Sequence, residues 1–310
     1  MQYLGSGVDT ILLATDFTEQ AHLAFDAAVR LARLLSARLV LLHVNEEETF
    51  FAGHDSADLS RLLSEIVPKR AEWMRGFEER AQELGLDAEA ITRDGLASDT
   101  ILATADELNA GVIVIGTTGT RGVRRFFTGS TAKNVLRSAD RPVVAVSPQA
   151  TVTPPEDGGT YSHILYPTDF SIASEAGLAG ATTCLAGPDR MLTLLHVLRL
   201  PTMLPSLPGD PLVVLPSASS DDLQRRLDRD LQAAADRVGA ESVNTTVVMH
   251  ADVAEAICEV ATREGADLIV LPRHSSHTLA SFFFGHVAEE LSKMAPVPVL
   301  LFHPSGPDEG

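Results

Sequence analysis

The sequence predicts an α/β fold built twice in tandem, each copy a parallel sheet with helices on both faces. Three observations carry this. Short apolar runs of strand length alternate with stretches of helical period. The apolar runs return in the same order about one domain later. A set of spaced glycines leaves one strand and opens a helix, at the place where an open parallel sheet binds its ligands.

In the first copy Ile11-Leu12-Leu13-Ala14-Thr15-Asp16-Phe17 opens as a strand. Ala24, Ala27, Ala28, Leu31, Ala32 and Leu35 then recur at helical spacing. Leu39 to Val44, ending Leu41-Leu42-His43-Val44, is the second strand, and Asn45 to Pro68 reads as a loop. Val112-Ile113-Val114-Ile115 reads as a buried parallel strand. After it come Gly116-Thr117-Thr118-Gly119, nine residues, and Gly129-Ser130-Thr131, with a helix over Ser130 to Ser138. Pro142-Val143-Val144-Ala145-Val146 is the last strand.

Ser147 to Thr160 contains Pro148, Pro154, Pro155, Gly158 and Gly159 and no hydrophobic period, as a linker would. The pattern then restarts. Ile164-Leu165-Tyr166-Pro167-Thr168-Asp169-Phe170 echoes residues 11–17, and Leu194-Leu195-His196-Val197 echoes Leu41 to Val44. Ala266 to Leu271 echoes the strand before the glycines, and Pro298 to Phe302 the final one. The domains expected are 1–148 and 161–306, joined by 149–160. Leu198 to Ser220, rich in proline and aliphatics, reads as a second long loop.

The glycine run has a specific chemistry. Glycines let backbone N–H groups approach a ligand closely, and a helix N-terminus adds unpaired donors and partial positive charge, which together suit phosphate. Ser130 and Thr131 put hydroxyls in the first turn, able to meet a phosphate oxygen or to cap the helix. No Gly-Lys-Ser/Thr follows, so this is not a Walker loop, and no GxGxxG marks a dinucleotide site. Thr15-Asp16, Val44 and Gly116 all fall at the carboxyl ends of expected strands, where one pocket could hold them together.

The pattern G-x2-G-x9-G-Ser/Thr, set among these strands in this order, resembles the ATP-binding signature of the universal stress protein family, and the likeness covers nearly the whole chain. The resemblance implies two Rossmann-like, adenine-nucleotide alpha-hydrolase-like domains, each with a five-stranded parallel sheet. It implies a stress-response regulatory protein that holds ATP, with or without magnesium, through Thr15, Asp16, Phe17, Val44, Gly116, Thr117, Gly119, Arg121, Gly129, Ser130 and Thr131. For Asp16 it implies a carboxylate that accepts a hydrogen bond from the adenine amino group. The residues themselves leave a second role open, because Asp16 with Glu19 resembles a capping box in which Thr18 competes as the cap. One alternative is a slow ATPase or self-phosphorylating protein using Ser130 or Thr131, although no general base is evident in the loop; another is an interaction scaffold with a zinc site in the second domain. Single-domain relatives commonly dimerise through the last strand. Here the two copies are expected to meet antiparallel along 143–147 and 299–302, as a pseudo-dimer within one chain, with a homodimer of chains as a further possibility.

The second copy departs where phosphate would bind: Pro272 stands opposite Gly116, Ser275 opposite Gly119 and His286 opposite Ser130, while Gly285 keeps the place of Gly129. It should bind ATP poorly or not at all. His274, His277 and His286, with His250 near the same edge, could instead hold zinc; the alternative is a released site that drifted to polar residues. His43 and His196 recur in both copies without ligand-spaced partners and read as structural. Arg121, Arg124 and Arg125 lie inside the nine-residue stretch, where one could clamp a triphosphate.

Composition narrows the rest. The 310 residues suffice for two cores, and a net charge of −18 offers no basic stripe for nucleic acid. The apolar runs are too short to span a membrane and no basic segment precedes an apolar one at the start, so a cytoplasmic protein is expected. Cys184 and Cys258 sit at non-equivalent positions among apolar residues, which argues packing rather than a disulfide.

Overall fold

In the first copy the chain runs β1 (Thr10–Ala14), α1 (Glu19–Leu35), β2 (Arg38–Asn45), α2 (Ala57–Glu83), β3 (Ala88–Asp94), α3 (Ala97–Glu107), β4 (Val112–Gly116), α4 (Ser130–Ser138) and β5 (Val143–Val146). The second copy repeats it as β6 (His163–Pro167), α5 (Ile172–Leu185), β7 (Met191–Arg199), α6 (Ser217–Val238), β8 (Val243–His250), α7 (Val253–Glu264), β9 (Leu268–Pro272), α8 (Ser281–Met294) and β10 (Val299–Phe302). The structure, a computed structural model, describes residues 7–46, 57–117, 129–155, 159–185, 190–199, 217–238, 242–272 and 281–302. Among these, no helix is long and apolar enough to cross a membrane.

The strands form a single ten-stranded sheet in the order β3-β2-β1-β4-β5-β10-β9-β6-β7-β8. Each copy supplies five strands that are parallel to one another, and the copies meet where β5 and β10 pair antiparallel, with Val144 opposite Leu300. The central strands β1, β4, β5, β6, β9 and β10 are buried almost throughout, which is why they read as continuous apolar runs.

The expected face of α1 is the observed one: Ala24, Ala27, Ala28, Leu31 and Ala32 are fully buried. Their short side chains let the helix lie close against the sheet. The helix stops at Ser36, whose left-handed backbone (φ 54) turns its N–H back to Ala32 O and Arg33 O. One apolar core lies under α1, α2, α5 and α6 and draws residues from both copies, from Val8 to Phe302. On the opposite face each copy has its own smaller core.

Two stretches differ from the sequence reading. The expected loop Asn45 to Pro68 gives way to helix α2 from Ala57, with Pro68 inside it. Proline costs the helix one amide donor. The buried stripe Met74, Phe77 and Ala81, spaced i, i+3 and i+7, holds it together all the same. In the second copy α6 begins at Ser217, and the proline-rich Pro201 to Pro208 lies outside the described residues.

The expected linker is docked rather than free. Ala150 and Val152 are buried, Thr151 N–H donates to Pro296 O at 2.8 Å, and Ser147 Oγ donates to Ala295 O at 2.6 Å. Arg30 of α1, only 5% exposed, reaches across the seam. It donates to Thr160 O at 2.6 Å, pairs with Asp267 at 2.8 Å and lies 4.8 Å over the Tyr161 ring. Asp267 in turn accepts from the N–H groups of Ser162 and His163.

Candidate nucleotide site

Strand order reverses at β1, which lies between β2 and β4, so the crevice expected of such a sheet opens beyond the carboxyl ends of these three strands. Register places Ala14 level with both Leu42 and Ile115. Thr15 to Phe17, His43-Val44 and Gly116 therefore gather at one edge.

Thr15 is buried and anchored: its N–H donates to Leu42 O at 2.9 Å, and its carbonyl accepts from His43 Nδ1 at 2.9 Å. That bond fixes the imidazole with a proton on Nδ1. Phe17 N–H donates to Thr15 Oγ1 at 3.3 Å, and Phe17 itself sits in the left-handed region at φ 62. Holding a phenylalanine there costs free energy, and the hydrogen bonds around Thr15 offset it. The Phe17 ring is thereby set 4.5 Å from the His43 ring and 5.2 Å from the ring of Trp73 on α2.

Asp16 is exposed. Its Oδ1 accepts from Thr18 N–H at 3.1 Å and from Thr18 Oγ1 at 2.6 Å. The helix cap is Thr18, not Asp16, and Thr18 gives its hydroxyl to Asp16 instead of to the helix. Asp16 thus closes a tight turn while its carboxylate stays at the surface beside the crevice.

Across the crevice Gly116 ends β4. A side chain there would find only ordinary contacts with Gln20, 3.6 Å away. Among the described residues neither crowding nor backbone strain demands glycine at this place. Thr117 is fully buried, its N–H and Oγ1 both donating to Val146 O, so its side chain belongs to the sheet. Gly129 caps α4, and its N–H donates to Thr117 O at 2.7 Å. The amides free to meet a ligand are those of the first turn, from Ser130 onward. Ser130 is exposed and Thr131 half-buried. Gly119, Arg121, Arg124 and Arg125 lie outside the described residues.

The second copy reproduces the β1 turn closely. Phe170 has φ 59, Thr168 Oγ1 accepts from Phe170 N–H at 3.1 Å, and His196 Nδ1 donates to Thr168 O at 2.9 Å. The Phe170 and His196 rings stand 4.6 Å apart. Both histidines are structural, as their recurrence indicates. The packing behind the turn differs. Tyr166, at the place of Leu13, is buried and donates to Ser174 O at 2.8 Å, and Pro272 pairs with Phe302 at the sheet end. Gly177 makes room for them, since a Cβ there would lie 2.7 Å from Tyr166 Oη and 3.0 Å from the Phe302 ring.

For the histidine cluster, His274 and His277 lie outside the described residues, and His286 is exposed on α8. His250 ends the outermost strand β8, where its Nδ1 accepts from Asp252 N–H at 3.0 Å. Among the described residues no group of three or more metal-ligating side chains comes together. Three features escaped the sequence reading: Trp73, the docked linker and Arg30. The signals for them were slight, a lone tryptophan in the chain and one charge embedded in an alanine-rich apolar face.

Fold and crevice define a duplicated doubly wound α/β protein with one glycine-lined switch point. The chain belongs to the universal stress protein family, whose model matches residues 7–147 and 160–303. Universal stress protein YxiE of Bacillus subtilis is 28% identical over 143 residues, 44% of this chain and 97% of that protein. Universal stress protein MJ0531 of Methanocaldococcus jannaschii is 27% identical over 137 residues, 44% of this chain and 80% of that protein. The crystal structure of a universal stress protein from Archaeoglobus fulgidus superposes with a TM-score of 0.64 at 19% identity, covering 96% of this chain and 99% of that one. The last likeness is one of fold.

Proposed function

We propose that this chain is a cytoplasmic, ATP-binding regulatory protein of the stress response, holding one nucleotide in its first copy. The observation that carries the reading is the contrast between two otherwise matching switch points. Both keep the Thr-Asp-Phe turn with its histidine support, so that turn is part of the fold. Only the first keeps Gly116, where no neighbouring atom among the described residues requires glycine. A glycine at the end of β4, with the first-turn amides of α4 to follow, suits a ligand's phosphates. Asp16, at the surface of the same crevice, suits the adenine amino group. Relatives' names place the family in stress response and leave the ligand to be tested.

Calorimetric titration of the whole chain with ATP should give one site per chain. Gly119→Asp should abolish it, by putting a side chain and a negative charge where phosphates approach. Two equivalent sites, or none, would overturn the reading.

A further inference from the structure

We infer that Trp73 is a stacking platform for the base of the bound nucleotide. The inference rests on the ATP reading of the first switch point and adds a residue to it. Trp73 is the only tryptophan in the chain, and it is 50% exposed. A half-exposed indole offers a broad, rigid aromatic face on which a planar ligand can stack.

Its position is set by the turn that carries Asp16. The rings of His43, Phe17 and Trp73 form a staircase from the buried end of β2 to the surface, with steps of 4.5 and 5.2 Å. Phe17, the middle step, is the residue next to Asp16 and is held rigidly at φ 62. The exposed indole therefore packs on the residue that follows Asp16, whose carboxylate the ATP reading assigns to the adenine amino group. A planar base bound there would meet a hydrogen-bond acceptor at its edge and an aromatic surface along its face.

The second copy supplies the contrast. It keeps the first two steps, Phe170 and His196 at 4.6 Å. Its helix α6, the counterpart of α2, contains no aromatic residue from Ser217 to Val238. Helix α2 supplies a third step in the copy that keeps Gly116, and α6 supplies none in the copy that has Pro272. A residue needed only to pack Phe17 would be wanted equally in both.

The test uses the full chain, its single tryptophan as reporter, and two probes: ATP and inorganic tripolyphosphate. ATP should change tryptophan emission saturably, with the midpoint seen by calorimetry, while tripolyphosphate binds without that change. Trp73→Ala should weaken ATP by about tenfold, the scale of one base–aromatic stack, and leave tripolyphosphate unaffected. Trp73→Phe, which keeps a ring on Phe17, should recover most of the loss. If ATP binds by calorimetry while emission stays flat and Trp73→Ala binds like the native chain, Trp73 is not at the base and the inference falls alone. If the native chain binds no ATP at all, the reading of the site falls and takes the inference with it. Equal weakening toward both probes would assign Trp73 a structural role and likewise overturn it.

Discussion

Arg30 shows what a single residue does at the seam. It is a buried cation with one carboxylate, linker carbonyls and an aromatic face around it, and none of these neighbours lies near it in sequence. Breaking a buried pair by removing one partner leaves the other charge poorly compensated. Arg30→Met should destabilise the chain by about 3 kcal/mol, a value moderated because Asp267 keeps the N–H groups of Ser162 and His163. Urea unfolding followed by circular dichroism measures this. Cys258 is a free thiol pushed up to about 12 from 9.0, first by burial and then by Asp252, Glu255 and Glu259. A raised thiol pKa means the protonated form is favoured by folding. That contribution is complete below pH 9 and fades as pH climbs toward 12. At neutral pH, alkylation of Cys258 in the folded protein should be far slower than in denaturant, since the thiolate is the nucleophile. Comparable rates would mean the thiol is open.

Among the elements, β5 and β10 decide the architecture. Val144 and Leu300 face each other in the sheet centre with almost no exposure. A carboxylate at either place would be buried without a partner, so Val144→Glu or Leu300→Glu should cost about 4 kcal/mol or more. The loss should appear in the unfolding of both copies together. A variant in which one copy melts early while the other keeps its native midpoint would show the seam to be incidental. Helix α5 offers a smaller test. Gly177→Ala pushes a methyl against Tyr166 Oη and Phe302, and overpacking of this kind costs about 1–3 kcal/mol. Outer strands were hard to read for a physical reason. β3, Ala88–Asp94, and β8, Val243–His250, have one neighbour each and mix polar with apolar side chains. Central strands, covered on both faces, announce themselves as apolar runs. Helix α2 escaped because Pro68 imitates loop punctuation, while the stripe that stabilises it lies after the proline.

For the molecule as a whole, the core under α1, α2, α5 and α6 is shared by the two copies. Residues of each copy lose that burial if the other leaves. Heat unfolding should therefore be one cooperative transition, with calorimetric and van't Hoff enthalpies in agreement. Helices α4 and α8 also meet across the seam, where Lys133 and Lys293 approach Glu289 at 3.7 and 3.1 Å. The hydrogen bond from Lys293, first, holds the Glu289 carboxyl below its usual range. A lowered carboxylate pKa contributes stability above the ordinary carboxylate range, and that contribution is lost as pH falls through it. Lys293 is part-buried, but Glu289 and Lys133 are exposed to solvent, so the effect should be small.

The sequence by itself determined the duplication, the central strands and the loss of glycines from the second copy. Each of these is written in local composition: apolar runs, helical spacing, a glycine present or replaced. Tertiary structure alone decided that the linker is docked, that Arg30 reaches Asp267 237 residues away, and that His43, Phe17 and Trp73 form one staircase. Those contacts join residues with no periodic relation along the chain. They exist only once the sheet has set its strand order and the helices have settled on its faces.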